Sequence, residues 1–366
     1  MQEAGARYGE WLGPPPREAI TLADRLWRAP ATESPAWKAI DLPGWSAPAT
    51  MEIESAVAYA LARTWWPDSQ PGSATATVVN GAAWYLQSLV VERLFDLRYL
   101  SPGHSADGVR YFGGAVPWAI PSLTLGRSTV GLGRAEFLRS NSVSARWPAS
   151  ARRLPASVDH DAVRGALAFG TLERYLTWPV LQGALHAWAR RAAEGPMSQS
   201  EIAATVSAAA GQDLSWFFET AFDTQARFNY ALAAFSTGPA DGPCQNAPCY
   251  RTGVTAVRRG EAQFTGRSSV ASGAYESGDA MTLLISFADG QEVQARWEGR
   301  QAARVFEFDS GSPAVSVHLD PDRTLLLDAD YLDAGRITGA PTNVPVGKWI
   351  ARWMVWLQDA MLSYSF

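Results

Sequence analysis

The chain of 366 residues holds four histidines, His104, His160, His186 and His318, and no two of them stand at the spacing of a metal-binding pair. Hydrolysis of the thermolysin kind needs H-E-x-x-H on one helix, so that two imidazoles lie one turn apart and the glutamate serves as general base. The stretch AVAYALARTWWP, from Ala56 to Pro67, has the apolar outline of such a helix and ends in two tryptophans, yet it contains neither histidine nor glutamate. Other chemistry is equally sparse. No G-x-S-x-G marks a nucleophile elbow. GRSTVGLGR (126–134) follows no clear strand and opens no helix, so it reads as a turn-rich loop rather than a phosphate cradle. Cys244 and Cys249 share the Pro- and Gly-containing loop GPCQNAPCY, either as two free thiols or as a local disulfide.

The elements that would position these groups can be read from periodicity. Apolar residues make up 47% of the chain and charged residues 18%, the balance of a folded protein rather than a disordered one. The length suits two or three domains. The net charge of −5 gives no basic surface for nucleic acid, so no nucleic-acid partner is expected. No window is long and apolar enough for a transmembrane helix, and the opening MQEAGARYGE lacks the apolar core of a signal peptide.

Residues 1–226 read as mostly helical. ESAVAYALARTWW, ATATVVNGAAWYLQSLVVERLFDLRYL, DAVRGALAFGTLERYL and PVLQGALHAWARRAAEG carry the apolar period of helices, and the Pro/Gly-rich span 101–155 reads as loops. Ser198 and Glu201 are spaced as a capping box, Gly211 ends that helix, and Asp213 is placed to cap LSWFFETAF. Past Arg227 the period changes to two. FNYALAAF, YRTGVTAV, MTLLISFADGQEVQARW, ARVFEFD and AVSVHLD read as strands, with Asp289-Gly290 as a hairpin turn, which together predict a β-sandwich over 227–338. Residues 339–366 return to helix. Trp349, Trp353 and Trp356 share a wide apolar face there, with Lys348, Arg352 and Asp359 opposite. That face packs on the protein's own domains, or it stays exposed toward a partner or a membrane interface.

In this order, five segments resemble the zinc aminopeptidases of the alanyl- and leucyl-aminopeptidase type. YGEWLGPPPREAITLADRL is similar to the lead-in of that family, and VAYALARTWWP to the segment that carries its two zinc histidines. VNGAAWYL is similar to the helix with the third ligand, AVRGALAFGTLERYL to the segment with the catalytic tyrosine, and GQDLSWFF to a later motif. The resemblance implies a thermolysin-like helical domain followed by an antiparallel β-sandwich and an amphipathic helix, an α+β protein. The family's large N-terminal β-domain has no counterpart ahead of these motifs.

Carried over residue by residue, the resemblance places the first zinc histidine on Tyr59, the general-base glutamate on Ala60 and the second histidine on Arg63. The third ligand falls on Asn80 and the intermediate-stabilising tyrosine on Ala162. ATESPAW leaves Glu33 where the family's glutamate grips a substrate's α-amino group. An arginine guanidinium repels Zn²⁺, and tyrosine does not replace a neutral imidazole. The sequence therefore leads to the expectation of a chain that is not an enzyme, without metal or cofactor. It would serve as a structural or accessory subunit of a larger, membrane-associated complex, with protein partners and peripheral membrane contact through its terminal helix. The alternatives are a peptide- or amine-binding module anchored at Glu33, and an active metallopeptidase. A disulfide between the cysteines would place the chain on the extracytoplasmic face of a membrane, whereas free thiols fit the cytoplasm.

Overall fold

The computed structural model describes residues 2–15, 21–24, 39–42, 52–66, 73–94, 160–222, 226–240, 249–264, 281–297, 301–330 and 333–338. The terminal span with Trp349, Trp353 and Trp356, residues 101–155, Glu33 and Cys244 lie outside the described residues.

The chain opens with helix α1 (Gln2–Leu12), which the polar lead-in does not announce. Its signal is Ala4, Tyr8, Trp11 and Leu12, all buried on one face at helical spacing. The Tyr8 hydroxyl donates to the Ala58 carbonyl at 3.1 Å, and the Trp65 indole to the Gly13 carbonyl at 3.2 Å. Two four-residue strands, β1 (Thr21–Asp24) and β2 (Ala39–Leu42), pair in parallel, a feature the helical reading of this region lacks. Then come α2 (Glu52–Arg63) and α3 (Ala74–Leu94).

After the undescribed span, α4 (His160–Leu176) and α5 (Trp178–Ala192) follow almost without a break. Thr177 makes the corner at φ 73° and ψ 152°, a conformation normally left to glycine. Helix α6 (Gln199–Ala210) has the capping box of Ser198 and Glu201, and Gly211 closes it in the left-handed conformation at φ 69°. In α7 (Ser215–Ala221) the N-cap is Leu214 rather than Asp213. Asp213 still serves the helix start, its carboxylate accepting the Ser215 N–H at 2.9 Å.

From Tyr230 onward the described chain is strands, because small and β-branched residues now alternate between buried and wet positions. One antiparallel sheet has the order β3 (Tyr230–Pro239), β4 (Tyr250–Arg258), β7 (Ala303–Ser310). The other has the order β6 (Glu292–Trp297), β5 (Met281–Phe287), β8 (Ala314–Leu319), β9 (Gly335–Ile337). In β5 the alternation is complete, with Met281, Leu283, Ile285 and Phe287 buried. Asp289-Gly290 turns the β5–β6 hairpin, Gly290 standing at φ 86°.

A bulge in β3 between Leu232 and Ala234 frees the strand to reach both sheets. Arg336 of β9 donates to the Leu232 carbonyl at 3.0 and 3.2 Å, and the Ala314 N–H of β8 donates to Thr237 Oγ1 at 3.3 Å. The buried side chains of the helices and of both sheets form one continuous core. The protein is therefore α+β, its described residues combining helices with two antiparallel sheets and the short parallel pair β1–β2.

Candidate functional site

The buried stripe of α2 is Ala58, Leu61 and Ala62, and Trp65 and Trp66 continue it just beyond the helix end. Residues between these positions fall on the flank of the helix, and that is where Tyr59, Ala60 and Arg63 stand, all half-buried. Tyr59 packs against the core. Arg63 has its Nη1 enclosed by protein.

Asn80, half-buried, sits on α3 beside Gly81. There α3 meets α4 backbone to backbone. A Cβ on Gly81 would lie 2.4 Å from the Gly165 Cα, and one on Gly165 would lie 2.6 Å from both the Gly81 Cα and the Thr77 carbonyl oxygen. Such closeness requires glycine on both helices. Ala162, one turn before Gly165, is fully buried. Three neighbouring helices thus carry the five positions. The donor set they bring does not fit a zinc ion, since it includes no imidazole and no carboxylate. Among the described residues, no three His, Cys, Asp or Glu side chains gather as metal ligands. His186 and His318 are exposed, on α5 and β8.

The polar groups held most firmly are others. Arg164, on α4 and 5% exposed, donates from Nε to the Ala221 carbonyl at 2.7 Å, and from Nη2 to the carbonyls of Ala226 at 2.7 Å and Thr220 at 3.3 Å. One guanidinium thereby satisfies the last carbonyls of α7, which a helix cannot pair internally. Its place in AVRG, inside a motif with the helical period, was the available signal. Tyr85 of α3 stacks on Phe169 of α4, with centroids 6.2 Å apart, and its hydroxyl faces Glu173. Burial raises the Tyr85 phenol well above its ordinary range, and the Glu173 carboxylate adds to that. Burial raises Glu173 as well, opposed by the Tyr85 hydroxyl and by Arg174 and Arg93. The Arg93 guanidinium lies 4.9 Å from the ring centroids of both Trp11 and Trp178.

Cys249 is disulfide-bonded, and Cys244 is outside the described residues. No helix in the described residues is long and apolar enough to cross a membrane.

No family model matches the chain, and no curated protein does. Among solved structures, the chain is similar to aminopeptidase A of Legionella pneumophila, solved in complex with aspartic acid. The TM-score is 0.48 and the identity 11%, over 89% of this chain and 34% of that one. The chain spans about a third of the length of the protein it matches. This comparison corrects one expectation. The solved protein it is similar to is an aminopeptidase, and the expectation that this chain is not an enzyme is set aside.

Proposed function

We propose that the chain is a structural or accessory subunit of a larger, membrane-associated assembly, built on an aminopeptidase-like helical domain, a β-sandwich and a tryptophan-rich terminal helix. The observation that carries this reading is the closure of α3 on α4 beside Asn80. Next to Asn80 and one turn from Ala162, Gly81 and Gly165 bring backbone against backbone, and Ala162 is buried. The reading holds whether or not the chain also catalyses a reaction. Placement on the extracytoplasmic face belongs to the same proposal.

The test is purification from native membranes in mild detergent, with the stoichiometry of accompanying chains measured across size-exclusion fractions. A defined partner at a constant ratio supports the proposal. Elution of the protein alone, at the mass of one chain and without any detergent requirement, overturns it.

A further inference from the structure

The seam between helices and sheets holds buried aspartates, Asp320 and Asp328. Residues 320–330 leave the end of β8 and cross the second half of α4. Leu325, Leu326 and Leu327 are buried there, and Leu326 comes so close to α4 that a Cβ on Gly170 would meet its Cδ1 at 2.7 Å. The Leu326 N–H donates to Thr171 Oγ1 at 3.0 Å, and Arg174 donates to the Arg323 carbonyl. On its other side the segment holds the start of β3. Asp328 accepts the Tyr230 N–H at 3.1 Å and the Asp330 N–H at 3.0 Å, while the Ala329 N–H donates to the Phe228 carbonyl at 2.9 Å.

The strap therefore ties α4 to the first strand of the sheets, and its carboxylates sit in the knot. Asp328 is 2% exposed and hydrogen-bonds to backbone N–H groups, and among the described residues no guanidinium pairs with it. The charges acting on it are those of Asp333 and Asp320. Asp333 pairs through Oδ2 with Arg259 at 2.9 Å, while its Oδ1 is enclosed without a donor; Asp330 and Arg336 also act on it. Asp320 accepts the N–H groups of Thr324 and Leu325 at 2.8 and 2.9 Å, with Arg174 nearby. The buried ring of Tyr230 faces Arg258 as well as Asp328. A carboxylate withdrawn from water and set among like charges favours its protonated form, and two backbone N–H groups offset this only in part.

We propose that this strap is a proton-held latch, closing α4 onto β3 when Asp328 and Asp333 are protonated and loosening the seam when they ionise. Burial supports the direction, lifting Asp328 to about 7 and Asp333 to about 6, with the neighbouring acids adding to both. Ionised forms gain most from water, so the open seam binds fewer protons than the closed one and rising pH favours opening.

Hydrogen exchange of the full chain at about pH 5 and about pH 8, expressed as protection factors, tests this. The Tyr230 and Leu326 amides are expected to lose roughly tenfold or more of their protection at the higher pH, the equivalent of one pKa unit. The Phe287 and Gly290 amides of the distant β5–β6 hairpin serve as the reference and should not follow. In Asp333→Asn, which leaves the backbone bonds of Asp328 in place, the loss should shrink. In Asp328→Asn/Asp333→Asn it should vanish. Equal changes at the seam and the hairpin in the unaltered chain overturn the proposal, as does a seam change that survives in the double variant.

Discussion

Substituting alanine for Gly81 opposes two effects of different size. Alanine is the better helix former, and in an open helix it stabilises by about 1 kcal/mol over glycine. Here the new methyl would sit 2.4 Å from the Gly165 Cα, 2.5 Å from the Gly165 carbonyl carbon and 3.0 Å from the Ala166 nitrogen. Carbon atoms pack comfortably at about 3.5–4.0 Å, so α3 and α4 would have to part by about 1 Å. Every struck atom is backbone, which leaves no rotamer to absorb the clash. That puts the cost at the upper end of the overpacking range, about 3 kcal/mol. The net expectation is destabilisation by about 2 kcal/mol for Gly81→Ala, and the same for Gly165→Ala. Gly9 and Gly183 supply the control, because both lie within helices and a Cβ on either meets nothing within 4 Å. Gly9→Ala and Gly183→Ala should therefore gain up to about 1 kcal/mol. Urea unfolding followed by tryptophan fluorescence measures all four. The pair Gly81→Ala/Gly165→Ala should cost less than the sum of its parts, since helices already parted accept a second methyl. Gly81→Ala as stable as the unaltered chain would refute the backbone contact and, with it, the closure that the proposed function rests on.

Arg164→Met should destabilise by roughly 4 kcal/mol in the same assay, because it strands three carbonyls that one buried guanidinium serves. Arg164→Lys should recover only part of this, a point charge being unable to span them. Thr177→Gly should stabilise by about 1 kcal/mol by relieving the φ 73° corner, whereas a loss would mean the threonine side chain is needed there. For Asp328, the folded value of about 7 exceeds the ordinary 3.8, so the folded chain keeps a proton that the unfolded chain gives up as pH rises. Its contribution is present at low pH and is lost as pH climbs through about 7, by at most about 4 kcal/mol. The difference in unfolding free energy between the unaltered chain and Asp328→Asn, measured from about pH 4 to about pH 8, should fall with rising pH; a difference that rises or stays flat refutes it.

What the sequence made legible was local. Ser198 and Glu201 satisfy each other's neighbouring N–H groups within four residues, and Asp289-Gly290 turns a hairpin whose strands follow at once, so both could be read without knowing the rest of the fold. Strands β3 to β8 were legible for the same reason, through alternation such as that of β5. Helix α1 was not, because its buried residues are set in a polar run and their partners, Ala58 and Trp65, lie some fifty residues on. Strand β9 has three residues and owes its place to β8 and Leu232. The candidate positions Tyr59, Ala60, Arg63, Asn80 and Ala162 stand on three helices. The Gly81–Gly165 contact and the acidic seam are products of long-range packing, and neither glycine nor aspartate carries a periodic signal that would reveal them.

Helix α4 is held at several points along one rod. Gly165 rests on α3, Arg164 grips the end of α7, and Thr171 and Arg174 hold the segment that leads into the sheets. Nine residues separate Thr171 from Ala162, about 13 Å of axis at 1.5 Å per residue. Tilting that lever by about 5° would displace its far end by about 1 Å, a shift of the size that interdigitated helices register. Any rocking of the sheets is thereby geared to the neighbourhood of Asn80 and Ala162.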